Sequence, residues 1–316
     1  MATADQLKAL IRSHYEGEAE RFNTIALQIA AHEARMGHSS IADDLRHLVD
    51  KSKVNKPKLK PLNPELWDLV LEVAPEARLN ELIAAPSIKD RIARIIHEYV
   101  QRDKLKRFDL ENRRKVLLAG SPGTGKTMTA SIIAHEVGLP LKVVMIDRMI
   151  TKFMGETSAK LRQIFELIHD VKGVYLFDEF DAIGTQRGAE NEVGEMRRVV
   201  NAFLQFIEHD KSDSLIVAAS NVLGTLDTAL FRRFDDVIVY RLPSNEEKLE
   251  LLENRLVGFA AGLDLQMFVE KMGHLSHAEI LSACNDAIKD CILYDRRVVL
   301  ADLLDRMIEQ RKNAYQ

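Results

Sequence analysis

The sequence predicts an α/β fold. A parallel five-stranded sheet with helices on both faces is preceded by a small N-terminal helical module and followed by an all-helical C-terminal lid. Three observations lead there. Short apolar runs alternate with helical patterns between Lys115 and Leu242, the arrangement that parallel strands joined by crossover helices require. One run leads straight into a glycine-rich turn, KVLLAGSPGTGKT (Lys115–Thr127). Beyond Leu242 the strand signal stops, and only helical periodicity continues toward Gln316.

Bulk composition narrows the class. The 316 residues are 46% hydrophobic and 29% charged, ordinary for a folded chain of one large or two smaller domains. A net charge of −4 gives nucleic acid no electrostatic footing. No apolar run approaches the ~20 residues that span a bilayer, and MATADQLKAL lacks the basic-then-apolar order of a signal peptide. Cys284 and Cys291 lie about 10 Å apart along a helical pattern, too far for a disulfide. With no second cluster to complete a zinc site, they read as reduced thiols. A cytoplasmic protein with neither a membrane nor a nucleic-acid partner is expected.

In chain order, residues 1–50 read as amphipathic helices, one carrying Phe22, Ile25, Ile29 and Ala30 at helical spacing and ending by Gly37. This module is either a bland helical unit or a docking surface for a partner, and such faces look alike in sequence. Residues 51–64, KSKVNKPKLKPLNP, form a basic, proline-punctuated linker without interleaved aromatics. Residues 65–243 make the large α/β domain. Its first part, to residue 114, is helical in pattern, with Ile88, Ile92, Ile95 and Ile96 on one stripe. Strands are expected at Lys115–Gly120, Leu141–Ile146, Val174–Asp181, Leu215–Asn221 and Val237–Leu242. Residues 244–316 form the lid, opened by the capping box Ser244-x-x-Glu247.

The chemistry gathers where the strands end. Gly120, Gly125, Lys126 and Thr127 satisfy the spacing of a phosphate-binding loop. A triphosphate needs several backbone N–H groups converging on its oxygens. Gly120, Gly123 and Gly125 remove the side chains that would block it and permit positive φ. The helix that follows offers unpaired N–H groups and the positive end of its dipole. Lys126 reaches the β- and γ-phosphates, and the Thr127 hydroxyl is a ligand for Mg²⁺. In VYLFDEFD an apolar strand delivers Asp178 and Glu179 to its C-terminal end, the edge at which open α/β sheets bind ligands. Asp178 is the second metal-site residue and Glu179 the general base for a lytic water. Asn221 ends the next strand, placed either to orient that water or to contact the γ-phosphate. Arg232 and Arg233 stand side by side, as surface arginines or as arginine fingers.

These motifs, in this order, resemble the AAA+ ATPases, within them the AAA subgroup of protein-remodelling motors, over Leu79 to Tyr294. GSPGTGKT resembles that group's Walker A and LFDEFD its Walker B. Asn221 matches sensor 1 and LDTALFRRFD the arginine-finger segment. KFMGETSAKLRQIF (Lys152–Phe165) resembles the first pore loop and its helix. The resemblance implies ATP and Mg²⁺ as cofactors, and a homo-hexamer whose active sites are shared between subunits. Ile83, Ala84, Gly120, Ser121, Pro122, Gly123, Thr124, Gly125, Lys126, Thr127, Met128 and His277 would contact the nucleotide. Arg232 and Arg233 would act on the neighbour's ATP. Lys152, Phe153 and Met154 would grip a polypeptide in a central pore. The lid segment GHLSHAEI lacks the arginine many AAA+ proteins carry there, and Ile83–Ala84 replaces a common glycine pair. His277 either approaches the nucleotide or is a satisfied helix-start residue. The function implied is an ATP-hydrolysing motor that unfolds or disassembles a protein. The alternative is an ATP-dependent switch or assembly factor that binds a partner without threading it.

Overall fold

The computed structural model describes Lys8, Ser13, residues 19–36, His38, Leu66 and residues 68–152, 156–181, 190–221 and 231–313. The chain divides into two compact units, Met1–Pro61 and Leu62–Gln316. In the first, α1 (Ala19–Arg35) buries Ala26, Ile29 and Ala30; of the anticipated stripe, Ile29 and Ala30 are buried and Phe22 and Ile25 half-buried. The linker read from the sequence, residues 51–64, lies outside the described residues.

The second unit is built on a six-stranded sheet. In chain order its strands are β1 (Val70–Val73), β2 (Lys115–Gly120), β3 (Leu141–Val144), β4 (Val174–Phe177), β5 (Leu215–Ser220) and β6 (Asp236–Tyr240). Their order across the sheet is β1-β3-β4-β5-β2-β6. β2 to β6 are the five parallel strands expected. The sixth is new: β1 pairs antiparallel with β3, Val70 opposite Val144 and Val73 opposite Leu141. Residues 65–114 read as helical because β1 spans four residues, too few for a period, and only Val70 of them is buried. Pairing with β3, not local pattern, makes it a strand.

Alternation along the strands divides the core in two. Tyr175, Phe177, Ile216 and Ala218 face α6 (Thr157–Asp170) and α7 (Glu190–His209). Phe165, Phe177 and Phe203 meet there with ring centroids 5.2–5.9 Å apart. Val174, Leu176, Val217 and Ala219 face α2 (Pro86–Val100) and α4 (Lys126–Val137) on the other side. Two short helices, α3 (Arg102–Lys106) and α5 (Ile146–Lys152), complete this part. Helix α4 ends at Gly138, which takes the left-handed φ of 67°.

A third core lies among α8 (Asn245–Arg255), α9 (Gln266–Lys271), α10 (His277–Leu293) and α11 (Ala301–Asn313). Cys284 and Cys291 are free thiols buried within it. Helix α8 begins with the anticipated capping box, Ser244 Oγ accepting from the Glu247 N–H. Only Arg241–Pro243 separates β6 from that cap.

Candidate nucleotide site

The site forms at the C-terminal ends of β2, β4 and β5. β2 ends at Gly120, and the chain turns through Gly123 and Gly125 into α4 with φ of 145°, 73° and 98° at the three glycines. The turn is braced from inside. Thr124 Oγ1 donates to the Ser121 carbonyl at 2.7 Å. Lys126 is buried and donates Nζ to the Gly120 and Ser121 carbonyls at 2.8 and 2.9 Å. An ammonium carries three protons, so one remains for a ligand. Desolvation lowers the Lys126 pKa, and the charges of Asp178 and Asp181 oppose that shift.

The acidic strand end closes on this loop. Thr127 Oγ1 donates to Asp178 Oδ2 at 2.8 Å, and the Glu179 N–H donates to Asp178 Oδ1 at 2.9 Å. Asp178 is half-buried and Glu179 exposed. Glu179 has a φ of 52°, a left-handed conformation that costs a non-glycine residue about 1–3 kcal/mol. It is held there because the next N–H, that of Phe180, donates to the Ala219 carbonyl of β5 at 2.8 Å. Asn221 follows β5, its N–H donating to Asp181 Oδ1 at 2.9 Å. Asp181 thus ties the ends of β4 and β5, a role that the acidic run VYLFDEFD hides among three carboxylates.

Arg232 and Arg233 are exposed. Arg233 Nη1 pairs with Glu208 Oε1 at 2.9 Å, whereas Arg232 has no ion pair among the described residues. Lys152 ends α5, and Phe153 and Met154 lie outside the described residues.

Beside the loop is a cavity of about 810 Å³, lined among others by Ala84, Ile88, Val239, Leu242, Glu247 and His277. Ala84 is buried in the core shared with α2 and α4, while Ile83 packs against the C-terminal helices. Met128, on α4 itself, is partly buried against the same core as Ala84. His277 starts α10 behind the cap Ser276, which forms a capping box with Glu279. The His277 ring is buried, and neither ring nitrogen has a hydrogen-bond partner among the described residues. Desolvation lowers its pKa, opposed by the charge of Glu247.

The sequence does not reveal how closely α10 meets the loop. The Ala278 N–H donates to the Gly123 carbonyl at 3.0 Å. A Cβ on Gly123 would lie 2.6 Å from Ser276 Oγ. Only the fold brings residues some 155 positions apart together, and the lone sequence signal is the cap Ser276-x-x-Glu279.

Residues 116–242 match the family model described as the ATPase family associated with various cellular activities (AAA). An uncharacterized AAA family ATPase of Sinorhizobium fredii, y4kL, is 32% identical over 325 aligned positions, covering 100% of this chain and 98% of the relative. The proteasome-activating nucleotidase of Methanosphaerula palustris is 26% identical over 80% of this chain and 64% of its own. The ATP-dependent zinc metalloprotease FtsH 3 of Sphaerobacter thermophilus is 28% identical over 67% of this chain and 45% of its own. The chain therefore spans less than two thirds of the last two relatives. No helix among the described residues is long and apolar enough to cross a membrane. A match running nearly end to end through both chains shows the family: the chain belongs to the AAA ATPases, and it binds and hydrolyses ATP.

Proposed function

We propose that the chain is a subunit of an ATP-driven ring, a homo-hexamer, that remodels, unfolds or disassembles a protein. The observation that carries the hydrolytic part is the Thr127–Asp178 hydrogen bond, which joins the phosphate loop to the strand end bearing Glu179. The protein substrate is carried by likeness to relatives named for proteasome activation and proteolysis.

In this reading, the loop N–H groups from Gly123 to Thr127 and the third Lys126 proton bind the β- and γ-phosphates. Thr127 and Asp178 hold Mg²⁺; their hydroxyl and carboxylate are hard oxygen donors already within bonding distance of each other. Bound there, the ion would supply positive charge against the phosphate oxygens. Glu179 takes a proton from the attacking water, and Asn221, fixed through its backbone by Asp181, orients that water. Arg232 and Arg233 serve the adjacent subunit's site, which fits their exposure. The cavity at Ala84 and His277 receives the base, whose ring nitrogens and amine are partners for the unpaired imidazole. Phe153 and Met154, with Lys152, grip the substrate in a central pore, and residues 1–50 select it. The domain division is 1–50, 51–64, 65–243 and 244–316, and the compartment is the cytoplasm.

One contact favours the second reading, a switch that alters partner affinity without threading. The Ala278–Gly123 bond gives the phosphate loop a direct grip on the C-terminal helices.

Glu179→Gln tests the hydrolytic core. ATP binding should persist, since Lys126, Thr127 and Asp178 are intact, while turnover should fall by about 10²–10⁴, the usual share of a general base. ATP affinity and steady-state ATPase rate are the measurements. Turnover near the wild-type rate would remove Glu179 from the mechanism.

A further inference from the structure

Tyr240 ends β6 in register with Gly120, where the phosphate loop begins. The two backbones are so close that a side chain on Gly120 would collide with the Tyr240 carbonyl. The Tyr240 hydroxyl lies 2.5 Å from the Thr129 hydroxyl on α4, and both residues are buried.

Proton counting sets the direction of this contact. Thr129 has one hydroxyl proton and gives it to the Gly125 carbonyl at 3.0 Å. The Tyr240 hydroxyl therefore donates to Thr129 Oγ1. Burial pushes the phenol up to about 12, so the donor keeps its proton at neutral pH. The Gly125 carbonyl also accepts the Thr129 N–H at 2.9 Å. That carbonyl shares one peptide unit with the N–H of Lys126. Donors on the oxygen draw electrons through the unit and strengthen its N–H as a donor, since hydrogen bonds in a chain polarise one another. The Lys126 N–H opens α4 and belongs to the groups left without an intrahelical partner, which anions bind.

We propose that Tyr240 is a positioning residue for the nucleotide phosphates, acting through Thr129 to fix and polarise the Gly125–Lys126 peptide. It braces the loop at both ends, by its backbone at Gly120 and by its hydroxyl at Gly125. This rests on the reading of Gly120–Thr127 as the phosphate site.

The test compares dissociation constants for ATP and for adenosine, by competition, in the full chain. The variants are Tyr240→Phe, Thr129→Val, their double, Thr129→Ser and Lys126→Ala. Tyr240→Phe should weaken ATP binding about two- to tenfold, the worth of one buried hydrogen bond. Thr129→Val should weaken it at least as much, and the double should match Thr129→Val, because both changes cut one chain of bonds. Thr129→Ser, which keeps the hydroxyl, should bind ATP like the wild type. Adenosine has no phosphate and should bind all of these equally. Normal ATP binding by Tyr240→Phe and Thr129→Val, with Lys126→Ala impaired, would overturn the relay and leave the phosphate site standing. Normal binding by Lys126→Ala would overturn the phosphate site itself. Parallel losses for ATP and adenosine would assign Tyr240 to the cavity wall instead, and overturn the proposal.

Discussion

Gly123→Ala probes how firmly the phosphate loop is held against α10. Gly123 has a φ of 73°, accepts the Ala278 N–H at 3.0 Å, and faces Ser276 Oγ at 2.6 Å and the Ala278 Cβ at 3.1 Å from any added Cβ. Two costs follow. An L-residue in the left-handed region loses about 1–2 kcal/mol. The new methyl must also displace the tip of α10, weakening a hydrogen bond worth about 0.5–1.5 kcal/mol. Gly138 separates them, since it has a φ of 67° but nothing within 4 Å of an added Cβ. Gly138→Ala should therefore cost only the backbone share, about 1–2 kcal/mol. Gly123→Ala should cost about 1.5–3.5 kcal/mol. At about 2–4 °C per kcal/mol for a unit of this size, the two melting curves separate. Gly123→Ala should also weaken ATP binding, and Gly138→Ala should not. Adding Ser276→Gly removes the colliding oxygen for only a few tenths of a kcal/mol at a helix cap, and should restore part of both losses. Equal destabilisation by the two alanines, with unchanged ATP affinity in both, would refute the contact as a constraint on the loop.

Two further outcomes are expected. Arg232→Ala and Arg233→Ala proteins should each lack ATPase activity, and mixing either with Glu179→Gln protein should restore some, because certain interfaces then regain one complete site. Full activity in the double alanine variant would return both to the surface. For His277, burial lowers the folded pKa below its ordinary 6.5, so the unfolded chain binds the extra proton first. Stability contributed by the neutral ring is then present above about pH 6.5 and is lost as pH falls toward the folded pKa. Melting temperature without nucleotide should drop from pH 7.5 to 5.5 more steeply in the wild type than in His277→Asn, and equal slopes would refute it.

The parts of the site that lie close in sequence were legible, because spacing alone encodes them. The glycines of the phosphate loop, Lys126, Thr127 and the strand-end pair Asp178–Glu179 all sit where the sequence places them. The five parallel strands were legible for the same reason: each is a buried apolar run. What escaped depends on contacts between distant residues. β1 is a strand only through β3. Ser276 and Ala278 touch the loop only because α10 folds back over it. Tyr240 looks in sequence like one more apolar strand residue; its hydroxyl matters only where Thr129 awaits it. The left-handed φ of Glu179 has no local signal, since no glycine or asparagine marks the turn.

The two rims of the sheet bear on behaviour at high concentration. Unpaired main-chain groups on an outer strand invite another copy to add itself, the route to aggregation. One rim is β1, four residues long, with Glu72 in ion contact with Lys142 of the neighbouring strand. At the other, Arg91 of α2 pairs with Asp236 and also donates to the Val237 carbonyl at 2.8 Å, occupying main-chain capacity on β6 itself. A short charged strand and a blocking guanidinium leave little template for edge-to-edge growth. Copies brought together by any other surface can thus crowd without their sheets fusing.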